Sequence, residues 1–152
     1  MSGHLPLHLH IPTSLIDQMI AEASSSSTQE VCGLLFGVGL AIMEIEPTAN
    51  VAADPARRFE VDPAALIAAH RRGRERGRGR GQGAGVASTP ALIGHYHSHP
   101  NGRAEPSACD AEMALADGSI WLIIAGGEVT AWRAVEGGAR HGRFDALPIL
   151  RC

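Results

Sequence analysis

The 152-residue sequence contains no lysine, and aromatic residues make up only 4% of it. With so few aromatic side chains, the core must be filled mainly by leucine, isoleucine, valine and alanine. Long apolar runs are also lacking: stretches such as Ile120–Ala125 are far shorter than the about 20 residues that cross a bilayer. The chain does not open with a basic patch followed by an apolar stretch, so we expect no signal peptide and no membrane partner.

Cysteine is scarce as well. The three cysteines, Cys32, Cys109 and Cys152, are an odd number without the regular spacing of a disulfide framework. This predicts free thiols in a reducing compartment, the cytoplasm. The length fits one domain built around one core, and we predict a single domain over residues 1–152.

Charge is distributed unevenly along the chain. The net charge is −3, but "RRGRERGRGR" (71–80) holds six arginines and one glutamate, so the remainder carries −8. We predict a flexible Arg/Gly-rich loop at about 73–90, because so many glycines disfavour regular structure. Arginines at this density attract phosphate, so a nucleic-acid-binding module is one alternative function. No aromatic residue is interleaved to stack on bases, and this argues against nucleic acid as a partner.

Apolar patterning predicts alternating short strands and helices without a regular βαβ rhythm. We therefore predict an α+β fold with a mixed sheet flanked by helices. The predicted strands are 7–12, 30–37, 40–46, a short one at 57–63, 91–99, a hairpin over 119–135, and 144–150. The predicted helices are 13–23, one beginning at Asp62–Pro63, and one beginning at Ser107.

The stretch "GHYHSHPNGRAEPSACD" concentrates groups that can bind a metal. On a strand, His95, His97 and His99 share one face, and neighbours two positions apart are about 6.6 Å apart. One ion can therefore meet His95 with His97, or His97 with His99. A catalytic zinc usually has three protein ligands, and Asp110, early in the next helix, is the nearest candidate for the third.

Each part of this stretch also has an ordinary structural explanation. Ser107-x-x-Asp110 resembles a capping box, and alternating histidines are typical of a solvated strand face. The combination is harder to explain in this way, because four positions have fixed spacing.

Taken together, "HSHPNGRAEPSACD" resembles the motif of the JAMM metallopeptidases, also called the MPN-plus or JAB family: His-x-His-Pro, a short loop, then Ser-x-x-Asp. "EVCGLLFG" (30–37) resembles the family's upstream glutamate segment, and "NVAADPARRFEVDP" (50–63) resembles the connecting region of its small prokaryotic members. The resemblance covers about residues 10–125. It implies a cytidine-deaminase-like JAMM/MPN fold.

The resemblance also implies a role for each motif residue. His97, His99 and Asp110 would bind one Zn²⁺ per chain, Ser107 would hydrogen-bond the reacting group, and Glu30 would be the catalytic acid/base. His95 would not bind the metal. Without the resemblance, Glu30 would be interpreted as an exposed carboxylate at a strand end.

The implied activity is that of a zinc metallopeptidase that hydrolyses a peptide or isopeptide bond. Its expected partner is a protein or peptide C-terminal tail, which could pair with an exposed sheet edge. Small prokaryotic members of the family are associated with ubiquitin-like sulfur carriers, which predicts cleavage after a C-terminal Gly-Gly. A non-catalytic MPN scaffold is a further alternative, but such scaffolds lack the metal ligands that this sequence has.

Overall fold

The computed structural model describes residues 7–79 and 89–152. Within these ranges the chain forms three helices and eight strands. The helices are α1 (Thr13–Ser24), α2 (Pro63–Gly79) and α3 (Ala108–Met113). The strands are β1 (Leu9–Ile11), β2 (Cys32–Val38), β3 (Ala41–Thr48), β4 (Ala91–Ser98), β5 (Ile120–Ala125), β6 (Glu128–Gly138), β7 (Gly142–Leu147) and β8 (Ile149–Arg151).

All eight strands belong to one sheet, in the order β7-β6-β5-β4-β2-β3-β1-β8. The pairs β4–β5, β1–β3 and β1–β8 are parallel, and the other pairs are antiparallel. The sheet is therefore mixed, and the predicted α+β fold is confirmed. Strands β7 and β8 lie at opposite ends of the order, although only Pro148 separates them in the chain. The sheet must curl until its two edges meet at that residue.

The curled sheet has a hydrophobic cluster on each face. On one face, α1 contributes Ile16 and Met19 to a cluster that includes Tyr96 of β4. On the other face, Ala69 of α2 packs with Trp121 and Phe144. Strand β5 is buried along its whole length, which explains its uninterrupted apolar sequence: a strand covered on both faces has no solvent-facing positions.

Strand β4 lies in the middle of this sheet, between β2 and β5. His97 is opposite Cys32 of β2 and Ile123 of β5. Strand β4 ends at Ser98, so the predicted metal-binding histidines lie at the carboxyl end of a central strand, just before an exposed loop.

Three predicted elements differ from the structure. The segment 57–63 forms only an isolated bridge, Asn50 to Val61, because Phe59 and Val61 pack into the α2-side core. The last predicted strand is divided at Pro148, which has no N–H to donate to a ladder. Helix α2 continues to Gly79, so residues 73–79 of the predicted flexible loop are helical. Arginine is a good helix former, and each glycine in a helix costs only about 1 kcal/mol. Residues 80–88 of that loop lie outside the described residues.

Gly94 is required where β4 meets β5. A Cβ atom there would collide with the backbone carbonyl of Ile120, which cannot move without breaking the ladder. We expect Gly94→Ala to destabilise the protein by about 3 kcal/mol, the upper range for overpacking. Gly73, within α2, has open space around its Cβ position, so Gly73→Ala should instead stabilise by up to about 1 kcal/mol. Denaturant midpoints of the two variants test this, and equal midpoints would contradict it.

Candidate active site

Three polar side chains meet in a nearly closed triangle at the end of β4. His97 Nε2 lies 3.0 Å from His99 Nε2 and 3.2 Å from Asp110 Oδ2, and His99 Nε2 lies 3.1 Å from that same oxygen. All three residues are buried. We call these residues the histidine–aspartate cluster. Of the two histidine pairs that the strand spacing allowed, the structure brings His97 and His99 together.

The start of α3 places Asp110 in the cluster. Ser107 is the N-cap residue: its Oγ accepts a hydrogen bond from Asp110 N at 3.0 Å, and its N donates to Asp110 Oδ2 at 2.9 Å. This reciprocal pair is a capping box. The capping interpretation and the metal interpretation of Ser-x-x-Asp are therefore compatible, because the oxygen that caps the helix also faces both imidazoles.

Neighbouring groups fix the orientation of the two imidazoles. His99 Nδ1 lies 2.8 Å from the Arg103 carbonyl, which can only accept, so Nδ1 carries a proton, and Nε2 faces the cluster with a lone pair whenever the imidazole is neutral. The ring of Phe59 stacks on His97, with centroids 4.2 Å apart and planes 16° apart. A hydrogen bond from the second ring nitrogen to a backbone carbonyl, as His99 makes, is a usual means by which proteins orient metal-binding histidines.

His95 lies apart from the cluster. Its ring packs edge-on against Trp121, with centroids 4.2 Å apart, and contacts Phe59 at 5.1 Å. Burial, reinforced by the neighbouring His97, lowers the pKa of His95 to about 3, so it is neutral at physiological pH. The structure thus places His95 among aromatic side chains.

Glu30 lies beside the cluster and just before β2. One of its carboxylate oxygens lies within 4.8 Å of ligand nitrogens of His97 and His99. The residue is 6% exposed, and the Oε1 atom of its side chain has no hydrogen-bond partner among the described residues. The interpretation of Glu30 as an exposed strand-end carboxylate therefore does not hold. Burial raises the pKa of Glu30 to about 7; His99 opposes this, while Asp110 and Asp54 add to it.

The protonation states within the cluster are coupled. Burial opposes ionisation of Asp110, but the hydrogen bonds from His97 and His99 outweigh it and hold the Asp110 pKa well below its usual range. Burial lowers the pKa of His97, so its imidazole is neutral. Burial also acts to lower the pKa of His99, but the bond to Asp110 prevails and raises it. Near neutral pH the cluster therefore offers one carboxylate and at least one neutral imidazole.

The donor set fits a zinc ion. Ligands about 2.0–2.1 Å from zinc in a tetrahedron lie about 3.3 Å from one another, close to the three separations in the cluster. Two imidazole nitrogens and one carboxylate oxygen also match the usual composition of a catalytic zinc site, which keeps its fourth position open.

The comparisons with known proteins agree with this geometry. The family described as prokaryotic homologs of the JAB domain matches residues 12–135, most of the chain. The chain belongs to the prokaryotic JAB family. The resemblance to small prokaryotic JAMM/MPN proteins is thereby confirmed.

Two desampylases are similar to this JAB-family chain. That of Haloferax volcanii is 32% identical over 124 residues, which cover 80% of this chain and 81% of the relative. That of Pyrococcus furiosus is 30% identical over 114 residues, which cover 74% of this chain and 72% of the relative.

Solved structures share the fold. The solution structure of a protein from Desulfitobacterium hafniense has a TM-score of 0.71 at 24% identity, covering 94% of this chain and 92% of that one. The crystal structure of a JAB1/MPN domain protein from Archaeoglobus fulgidus has a TM-score of 0.53 at 16% identity, covering 94% and 98%.

Two other expectations can be compared with the structure. No helix among the described residues is long and apolar enough to span a membrane. We also expected a substrate tail to pair with an exposed sheet edge, but the part of the chain that the structure describes has no such edge at the site, because β2 and β4 are each paired on both sides. The outermost strands are β7 and β8, and the cluster lies mid-sheet.

Sequence reasoning missed two residues that build the site. Phe59 covers the His97 ring, and Asn50 binds the main chain of Glu30 at 2.9 Å. Both lie in the connecting region 50–63, where the sequence suggested only a short strand.

Proposed function

We propose that this JAB-family chain is a zinc-dependent isopeptidase that hydrolyses the bond after the C-terminal Gly-Gly of a ubiquitin-like carrier protein. The observation that carries the proposal is the buried histidine–aspartate cluster with the Glu30 carboxylate beside it. A non-catalytic scaffold would have no use for ionisable groups so costly to bury.

His97, His99 and Asp110 would hold the zinc ion. Bound there, zinc would lower the pKa of a water molecule to about 7 and polarise the substrate carbonyl. The neutral imidazole of His97 and the ionised Asp110 already have the protonation states that such binding requires, and His99 would give up any proton on its Nε2 when the metal binds.

Glu30 would move the proton. A carboxyl group with a pKa near 7 can both accept and release a proton at neutral pH, as a general acid/base must. It would take a proton from the attacking water and deliver it to the leaving amine. Because its buried Oε1 has no partner within residues 7–79 and 89–152, the carboxylate has capacity to bond to the reacting groups.

Ser107 would stabilise the developing oxyanion. Its Oγ accepts a hydrogen bond from the Asp110 amide, so the hydroxyl hydrogen remains available for donation. Ser107 is a partly exposed residue, so its hydroxyl could reach a substrate carbonyl. Hydroxyl donors of this kind stabilise tetrahedral intermediates of acyl transfer.

The relatives support the choice of substrate. Both are desampylases, which indicates an isopeptidase of the JAMM family that acts on ubiquitin-like protein conjugates. A carrier ending in Gly-Gly is the specific form that the resemblance to small prokaryotic members favours. Side-chain-free residues also suit a scissile bond that must reach a cluster as buried as this one.

The test is to incubate the zinc-loaded protein with a ubiquitin-like carrier that bears a C-terminal extension or a cysteine adduct, and to weigh the products. We expect cleavage directly after Gly-Gly, and none when the carrier ends in Ala-Ala or when zinc is removed with a chelator. Zinc-dependent cleavage of unrelated peptides, with none after Gly-Gly, would refute the carrier and leave a general peptidase.

A further inference from the structure

The Glu30 carboxylate is held in place by bonds to its main chain. Glu30 N donates to the Pro55 carbonyl at 2.7 Å, and the Glu30 carbonyl accepts from Asn50 Nδ2 at 2.9 Å. The next amide, Val31 N, donates to Ser98 Oγ at 2.9 Å. Glu30 precedes β2, so the ladder itself does not fix its backbone. These contacts therefore hold the backbone from which the Glu30 carboxylate extends.

Asn50 makes four hydrogen bonds with one side chain. Its Nδ2 donates to the carbonyls of Glu30 and Arg58, at 2.9 and 3.0 Å. Its Oδ1 accepts from Ala52 N and Glu60 N, both at 3.0 Å. Both donors and both acceptor positions of the amide are used. The flipped amide would face two carbonyls with its oxygen and two N–H groups with its nitrogen, so only one orientation fits.

Two of the four Asn50 hydrogen bonds are made to the residues on either side of Phe59. Arg58 and Glu60 are its chain neighbours, and both are bound to Asn50, while the Phe59 ring stacks on His97. Asn50 thus joins the loop that covers a cluster histidine to the backbone that carries Glu30. An asparagine with a purely local role would bond only within its own turn.

We infer that Asn50 is a positioning residue that holds the Glu30 backbone so that the carboxylate faces the histidine–aspartate cluster. Asn50 itself touches no reacting group, and the inference rests on the proposed function. A misplacement of about 1 Å can cost 10²-fold in rate. Loss of the Asn50–Glu30 bond should therefore lower kcat about 10- to 100-fold, with KM and zinc content unchanged.

Two variants separate the bonds of Asn50. Asn50→Ala removes all four. Asn50→Asp keeps the acceptor for Ala52 N and Glu60 N but sets a carboxylate oxygen against the Glu30 and Arg58 carbonyls, so two bonds still hold the loop while Glu30 is released. We expect both to lose kcat, with Asn50→Asp unfolding closer to wild type. Asp62→Ala, which removes one side-chain bond to Ala64 N at 3.0 Å, is the matched control and should keep kcat.

The decisive measurement is the effect of Asn50→Ala on kcat in a protein that already carries Glu30→Gln. If Asn50 acts through the Glu30 carboxylate, Asn50→Ala should cost little further rate once that carboxylate has been removed. An equal loss in both backgrounds, or an unchanged kcat in both Asn50 variants, would overturn the inference.

Failure of the proposed function would be visible separately, as a wild-type protein that cleaves no carrier conjugate. In that case NMR contacts between the Glu30 side-chain protons and the His99 ring decide the positioning role. They should be present in wild type and Asp62→Ala, and lost in both Asn50 variants. Their persistence in those variants would refute it.

Discussion

Replacing Glu30 with glutamine is expected to lower kcat by about 10²–10⁴-fold, the usual contribution of a general acid/base. Glutamine has nearly the same shape but cannot carry the proton that a carboxyl with a pKa near 7 can exchange. The fold and the zinc content should be unchanged, because Glu30 lies beside the histidine–aspartate cluster and does not complete its triangle. Steady-state kinetics with the Gly-Gly carrier substrate measure kcat, and metal analysis measures the zinc content.

Glu22→Gln is the matched control for this change. Glu22 is half-buried, and burial raises its pKa as it does for Glu30, but Glu22 accepts a hydrogen bond from Tyr96 OH at 2.7 Å on the α1 face of the sheet. An amide oxygen can accept the same bond, so turnover should match wild type. Wild-type turnover in Glu30→Gln would remove Glu30 from the mechanism.

Alanine at His97, His99 or Asp110 is expected to abolish stoichiometric zinc binding. Even partners outside the coordination sphere contribute about 10–100-fold to metal affinity, so loss of a direct ligand should cost more. His95→Ala should keep the metal, since His95 packs against Trp121. Ser107→Ala separates the two roles of Asp110: it should lose a cap worth about 1 kcal/mol and still bind zinc. Zinc retained in His99→Ala but lost in His95→Ala would show that the ligand register is wrong.

The affinity for zinc should also depend on pH. Metal binding requires neutral imidazoles, and the bond to Asp110 raises the pKa of His99 despite its burial. As the pH falls through the ordinary histidine pKa of about 6.5, His99 is therefore already binding a proton that competes with the metal. Titration with a chelating indicator across this range should show a steep loss of affinity, and a flat profile would contradict it.

Local sequence carried most of the information about individual elements. Glycines and apolar runs predicted β2 and β5, and Asp62–Pro63 marked the start of α2, where Asp62 Oδ1 accepts from Ala64 N. The order of the strands could not be predicted from the sequence. For example, β1 pairs with β8, whose residues lie about 140 positions away, and only tertiary packing brings them together.

The candidate site also contains some residues that the sequence indicated and others that it did not. The His-x-His and Ser-x-x-Asp residues could be predicted from the sequence, because the chemistry of a metal site restricts the residue types at these four positions. Glu30 needed the resemblance, since a single glutamate before a strand says nothing about burial. Asn50 lies in the segment that resembles the connecting region, but nothing in the sequence indicated a role for its side chain. Asparagine is common in turns, and this one binds backbone groups of residues 30, 52, 58 and 60 that meet only in the folded chain.

The corner at Pro148, where the two ends of the sheet meet, has a consequence for behaviour at high concentration. An open sheet edge is a template on which another chain can add a strand and begin aggregation. Here the outermost strands span only six and three residues and are joined by a residue without an amide hydrogen. They also expose Arg143, Asp145 and Arg151. Short, charged strands that converge on a proline can form few backbone hydrogen bonds with a strand of another chain. We therefore expect the sheet to resist edge-to-edge aggregation.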